Sequence, residues 1–279
     1  MYLSDKKIKE LEKKSNCIRK SIIEMLAEAG SGHTAGSLGM ADIFTIFYFH
    51  ILKHDPKNPF WEERDRVVLS NGHICPVLYA TMAHAGYFPV EELKTLRKFD
   101  SRLQGHPHRE YLPQMETSSG PLGSGLSEAV GMALADKIDG KNKERFIYCF
   151  MSDGEHDEGN TWEGIMLAGK NKLNNLIAIV DRNNIQIDGN TEKIMPLDSL
   201  VNKYKAFNWN VFEVDGHNFK KINEVIEEAQ EEKEKPTVII AHTIPCKGIK
   251  KWEGDFHWHG KAPTKQEAEE ALKELEMNK

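Results

Sequence analysis

RFIYCFMSDGEHDEGNTWEGIMLAGKNKLNNLIAIVDRNNI, residues 145–185, decides the fold. The stretch opens on RFIYCFM (145–151) and nears its end on NLIAIVD (175–181), two short runs that are apolar without alternation. Runs of that kind form strands buried on both faces of a parallel sheet. Between them GNTWEGIMLAGKNK (159–172) is patterned as a helix. Strand, helix and strand make one βαβ unit with a right-handed crossover. Working outward, TVIIAH (237–242) reads as a further buried strand, VFEVDG (211–216) as a fourth, and RVVLSNG (66–72) as a strand leading into a helix. SEAVGMALADKI (127–138) and KKINEVIEEAQEEKEK (220–235) add helices, the second with a solvated Lys/Glu face. The fold class is α/β, a parallel sheet with helices on both faces. TKQEAEEALKELEMNK closes the chain as a helix capped by Thr264.

The same unit places chemistry. Ser152-Asp153-Gly154-Glu155 follows the first strand and Arg182-Asn183-Asn184-Ile185 follows the second. Asp153 and Asn183 lie about 30 residues apart, the size of one βαβ unit. Both therefore stand at the carboxyl ends of parallel strands, where open α/β sheets bind ligands. A carboxylate and an amide carbonyl are hard oxygen donors that, with a main-chain carbonyl, phosphate and water, suit Mg²⁺. Gly154 would let a phosphate approach the backbone just before a helix. On spacing alone a second reading stands beside this one: Asp153 caps the helix and Asn183 makes a turn.

Bulk composition narrows the function. The chain has 279 residues, 39% hydrophobic and 29% charged, with a formal net charge of −6. Such a chain builds a substantial core, and its charge argues against non-specific binding to nucleic acid or anionic membrane. No apolar run is long enough to span a bilayer, and MYLSDKKIKELEKKSNCIRK lacks the apolar core of a signal peptide, so a cytoplasmic address is expected. Cys17, Cys75, Cys149 and Cys246 show no paired spacing and read as small hydrophobes rather than a zinc or disulfide framework. There is no internal repeat and no low-complexity linker, and residues 1–279 are expected to form one domain. Gly123-Ser124-Gly125 begins a GxGxxG, but the third position is Glu128 and no strand precedes it, so a dinucleotide fingerprint fails.

Residues 153–189, DGEHDEGNTWEGIMLAGKNKLNNLIAIVDRNNIQIDG, resemble the GDG…N motif of thiamine-diphosphate enzymes in its transketolase form, with Ser152 in place of the first glycine. The resemblance runs through nearly the whole chain. SGHTAGSLGMADI (31–43) is similar to the segment that supplies a substrate-facing histidine, here His33. LSNGHICPVLYA (69–80) resembles the segment with a diphosphate-binding histidine, His73. GHPHRE (105–110) matches an element whose histidine, His106, would face substrate. GPLGSGLSEAVGMALADK (120–137) resembles the segment whose backbone, at Gly120 and Leu122, receives the aminopyrimidine. HGKAP (259–263) resembles the element that would set His259 beside the diphosphate and thiazolium.

The resemblance implies a thiamine-diphosphate-binding fold equivalent to a transketolase N-terminal domain. Asp153, Asn183 and the Ile185 main chain would hold Mg²⁺, with Ca²⁺ or Mn²⁺ as substitutes. Gly154 and Glu155 would line the diphosphate, and Glu158 would be the interface glutamate, its alternative being a first-turn residue favoured by the helix dipole. The implied reaction is transfer of a two-carbon ketol unit from a ketose phosphate to an aldose phosphate, as in the pentose phosphate pathway. The implied partner is a second polypeptide carrying the pyrimidine-binding and C-terminal domains, in an α₂β₂ assembly. Remaining alternatives are a component of a 1-deoxyxylulose-phosphate-synthase-like or 2-oxo acid dehydrogenase-like enzyme, and a non-catalytic cofactor-binding subunit. The family usually has SGHPG where this chain has Thr34 and Ala35. His50, His54, His84, His108, His156, His217, His242 and His257 lie outside the matching motifs and are expected to be surface or core-satisfied residues.

Overall fold

The computed structural model describes residues 3–141 and 145–277. Ser4 caps α1 (Asp5–Ala29) by accepting from the Lys7 N–H, and Gly30 ends it in the left-handed region at φ 64°. Two short helices follow, α2 (Ala35–Gly39) and α3 (Ala41–Ile46). Strand β1 (Arg66–Leu69) leads through a tight turn at Gly72–Ile74 into α4 (Cys75–Ala85). Helix α5 (Ser124–Ile138) precedes β2 (Ile147–Ser152), and α6 (Gly159–Asn171) links β2 to β3 (Leu176–Arg182). A two-stranded ribbon, β4 (Ile185–Gln186) and β5 (Gly189–Asn190), leads to α7 (Thr191–Ile194) and α8 (Leu200–Ala206). The chain ends with β6 (Asn210–Asp215), α9 (Phe219–Glu231), β7 (Thr237–His242) and α10 (Lys265–Met277).

The five long strands form one parallel sheet in the order β1-β2-β3-β7-β6. Expected strand ends agree with those observed to within two residues, except that RVVLSNG is a strand only as far as Leu69. Past that point Gly72 and the apolar α4 take over. Helix α5 starts three residues earlier than its pattern, at Ser124, and α9 stops at Glu231.

Side-chain alternation along the strands divides the interior in two. Tyr148, Phe150, Ile177, Ile179 and Ile239 point into a core built with α1, α3, α4 and α9. Their neighbours Ile147, Cys149, Met151, Leu176, Ala178, Val180 and Ile240 point into a second core under α5, α6 and α8. With period two, a strand buried on both faces must be apolar at every position, which is why β2 and β3 show no alternation in sequence. On the first face Phe150 stacks on Phe44 at 4.6 Å and meets Phe47 edge-on at 5.0 Å. Each fully buried ring or branched chain contributes about 1.5–3 kcal/mol. The edge strand β6 is only partly buried, as its mixed sequence VFEVDG requires.

At the C-terminal helix Thr264 Oγ1 accepts from the Glu267 N–H at 3.2 Å, while Glu267 accepts from the Thr264 N–H at 2.8 Å. That reciprocal pair is a capping box. Among the described residues no helix is long and apolar enough to cross a membrane. Cys75, Cys149 and Cys246 are buried free thiols, and Cys17 is free and exposed.

Candidate active site

Every strand of a parallel sheet delivers its carboxyl end to one edge, and here that edge collects the polar residues. Ser70-Asn71-Gly72-His73 follows β1, Asp153 follows β2, Asn183 follows β3 and Thr243 follows β7. A Cβ on Gly72 would collide with Ser119, so glycine is what lets the 118–120 loop close over the turn that carries His73. One on Gly36 would lie 3.6 Å from Asp181 Oδ2, so α2 starts directly against the end of β3.

Four histidines from four separate segments converge over this edge. The His33 ring lies 5.0 Å from His73, 6.5 Å from His106 and 5.8 Å from His259, and His73 lies 5.3 Å from His259. A Cβ added at Gly120 would lie 3.9 Å from the His106 ring, and one at Gly260 3.9 Å from the His33 ring. Burial first, then the neighbouring His259, His106 and Arg97, push the His33 ring down to about 4. Burial likewise pushes His73 far down, and lowers His106 and His259. Burial favours the neutral form of all four rings, whereas a nearby diphosphate would favour the charged form. The cluster is neutral at pH 7 and offers one donor and one acceptor per ring.

Two of those ring nitrogens, His33 Nδ1 and His259 Nδ1, are buried without a hydrogen-bond partner. So are both amide atoms of Asn71, which is wholly buried beside His73. Orphaned buried polar atoms are costly unless something completes them. A polar ligand at the strand edge fits that requirement.

Asp153 is wholly buried, and burial raises its carboxyl above the usual range against the pull of its donors. Its Oδ1 accepts from the Gly154 N–H at 2.7 Å, and its Oδ2 from the Asn184 N–H at 2.8 Å and from Arg182 at 3.1 Å. Asn183 donates to Asp181 Oδ2 at 2.8 Å and accepts at Oδ1 from the Ile185 N–H at 3.0 Å, which fixes the amide orientation. Burial pushes the Asp181 carboxyl up to about 7. Among the described residues no three His, Cys, Asp or Glu side chains group as a metal site. Asp153 and Asn183 would thus give two protein side-chain oxygens, and their hard donor chemistry fits Mg²⁺. The approach to Gly154 is open: an added Cβ would meet nothing closer than the Gln186 side chain at 3.7 Å.

One expected site residue stands elsewhere. Glu155 is wholly buried, and its carboxylate accepts from the Ser70 hydroxyl, from the Gly123 N–H at 2.6 Å and from the Ser152 N–H at 3.2 Å. It therefore does not line an open diphosphate site; it bolts the ends of β1 and β2 to the loop holding Gly120 and Leu122. Glu158 is exposed at the N-terminal boundary of α6, with no capping bond from its side chain.

Sequence alone does not single out Asn71, Asp181 and Arg182. A signal for all three is present: polar residues directly after, or at the end of, an apolar strand. Most histidines outside the motifs have structural partners. His156 bonds Tyr204 Oη at 2.8 Å, His84 bonds Ser21 at 3.0 Å, and His54 bonds Tyr87 Oη at 2.9 Å. His217 accepts from the Ile244 N–H at its Nε2, so its proton is on Nδ1 and is donated to Asp42 at 2.8 Å.

A doubly covered parallel sheet with histidines and an Asp/Asn pair at its carboxyl edge is an arrangement suited to a polar ligand. The family described as "Transketolase, thiamine diphosphate binding domain" matches residues 11–279, and the chain belongs to the transketolase family. It is 42% identical over 96% of its length to the 6-deoxy-6-sulfo-D-fructose transketolase subunit of Clostridium sp. (strain MSTE9), covering 96% of that protein. It is 38% identical to an apulose-4-phosphate transketolase subunit of Phocaeicola vulgatus, over 96% of this chain and 94% of that one. The solved transketolase of Leishmania mexicana superposes with a TM-score of 0.90 at 32% identity, over 95% of this chain. This chain spans only 41% of that protein. The enzyme class is that of a transketolase-type transferase.

Proposed function

We propose that this chain is the cofactor-binding subunit of a heteromeric transketolase, moving a two-carbon ketol unit from a ketose phosphate to an aldose phosphate. The observation that carries the reading is the convergence of His33, His73, His106 and His259 over the strand edge that bears Asp153 and Asn183. Thiamine diphosphate, when bound, supplies the carbanion chemistry. Asp153, Asn183 and the Ile185 carbonyl would hold Mg²⁺, and Gly154 would admit the diphosphate. His73 and His259 would hydrogen-bond the diphosphate end. His33 and His106, uncharged at neutral pH, would bind sugar hydroxyls or pass a proton to and from them. Gly120 and Leu122 would receive the aminopyrimidine on their backbone, held in place by Glu155 through Gly123.

The partner in this reading supplies a pyrimidine-binding and a C-terminal domain, meets Glu158 across the interface and completes an α₂β₂ assembly in the cytoplasm. Relatives named as subunits, matched along 94–96% of their own length, support the split arrangement. The sugar is the open choice: relatives named for a sulfo-sugar and for apulose 4-phosphate favour a ketose outside the pentose phosphate pathway as the second reading. The test is co-expression with the partner and assay of xylulose 5-phosphate with ribose 5-phosphate in the presence of thiamine diphosphate and Mg²⁺. Product made only by the mixed chains, and lost in Asp153→Ala, supports the first reading; cofactor binding without product moves the substrate to another ketose. No cofactor binding with the partner present overturns both.

A further inference from the structure

Strand β3 ends in Asp181-Arg182, and Arg182 is a nearly buried cation at the edge where a divalent cation is proposed to sit. Its Nη1 donates to Asp153 Oδ2 at 3.1 Å, with the two side chains 9% and 1% exposed, and its Nη2 pairs with Glu192. Glu192 in turn accepts from the Leu197 N–H at 3.2 Å. The guanidinium is thus fixed between two carboxylates, and one of them is the proposed metal ligand.

Arg182 is not needed to aim that carboxylate. Gly154 N–H at 2.7 Å and Asn184 N–H at 2.8 Å each hold one of its oxygens. Those backbone donors remain when the Arg182 side chain changes. What the guanidinium adds is a permanent positive charge in hydrogen-bond contact with Asp153, in a place too buried for water or salt to screen it well.

We infer that Arg182 is a resident counter-ion of Asp153 that weakens divalent-cation binding at this edge, so that cofactor loading follows the free Mg²⁺ concentration. The inference rests on the reading of Asp153 as a metal ligand. An incoming divalent ion meets a carboxylate already half neutralised and a like charge close by. Removing that charge should therefore tighten divalent binding, in contrast to the loss expected if Arg182 served only to position Asp153.

The experiment titrates Mn²⁺ into the co-expressed complex of this chain and its partner at saturating thiamine diphosphate and reads free Mn²⁺ by electron paramagnetic resonance. Arg182→Gln, which removes the charge and keeps a donor, should bind Mn²⁺ about tenfold more tightly than the parent chain. Arg182→Lys, which keeps the charge, should stay within about threefold of it. Equal or weaker binding by Arg182→Gln overturns the inference. Asp153→Asn separates the two claims: if it leaves Mn²⁺ binding intact, the metal reading itself fails and takes the inference with it. If it abolishes binding while Arg182→Gln changes nothing, only the role of Arg182 falls.

Discussion

The Thr34 hydroxyl donates to the Lys261 carbonyl at 2.6 Å, joining segments 227 residues apart in sequence. One segment carries His33 and the other His259, whose rings lie 5.8 Å apart. A proline at the Thr34 position, as the family resemblance leads one to expect, would fix the local backbone but has no hydroxyl to give. This chain uses a cross-link where proline would use a stiff ring. Thr34→Val keeps the shape and removes the donor, leaving the Lys261 carbonyl short of a partner. The cost should be about 1–3 kcal/mol, read as a lower urea midpoint. Substrate KM should rise more than kcat falls if the two histidines separate.

Glu155 makes a sharper test because its amide analogue is nearly isosteric. In Glu155→Gln the retained oxygen still accepts from Ser70 and Gly123, but an NH₂ replaces the oxygen that accepts from the Ser152 N–H. Two donors then face each other in a buried place. A loss of about 1–3 kcal/mol in unfolding free energy is expected. Thiamine diphosphate affinity should weaken with it, since the Gly123 loop is anchored there. Unchanged affinity by calorimetry would remove Glu155 from any supporting role at the cofactor.

The packed face of β2 predicts a larger effect with no chemistry attached. Phe150 lies between Phe44 and Phe47 and is fully buried. Phe150→Ala leaves a cavity that both helix-borne rings are too constrained to fill, at about 3–5 kcal/mol. Denaturant unfolding checks this directly. A loss below about 1 kcal/mol would mean that the α3 face repacks.

The histidine cluster predicts how stability follows pH. His33 titrates near 6.5 when unfolded and is held down to about 4 in the fold. Between those values the unfolded chain binds the proton and the folded chain does not. The contribution is therefore fully present above pH 6.5 and is lost as pH falls toward 4. Asp181, raised from 3.8 to about 7, acts in the opposite sense across the same range, so the total curve mixes the two. The difference between the parent chain and His33→Asn isolates the histidine. That difference should change between pH 6.5 and 4 and be flat above; urea midpoints across the range measure it.

Strand β2 and helix α6 are legible in sequence because a doubly buried strand and a helix have contrasting hydrophobic patterns. The position of Asp153 and Asn183 follows, since a parallel sheet puts successive carboxyl ends side by side. The motifs name all four clustered histidines, yet nothing in their spacing shows that His106 turns toward His33. That approach is a contact between segments distant in sequence, which spacing within a motif does not report. Glu155 is misplaced by sequence for a related reason. A carboxylate two residues past Asp153 looks ready for a ligand until Ser70 and Gly123, from distant segments, are found on it. Arg182 escapes notice because a charged residue at a strand end is ordinarily solvated, and its partner Asp153 is set by folding rather than by sequence distance.

Asp181 and Asn183 hydrogen-bond to each other, while Arg182 between them reaches across to Asp153. Successive side chains alternate faces as an extended chain requires, and the register of β3 on β2 and β7, with Asp181 opposite both Ser152 and Ala241, sets which face each takes. A single codon inserted between Leu176 and Asp181 would turn this strip over, sending the guanidinium where the amide belongs and the amide toward Asp153. The apolar half of the strand would survive the inversion, being greasy on both sides. The chain could then still fold and yet lose its ligand site, so frame-preserving indels here should yield well-behaved but empty protein.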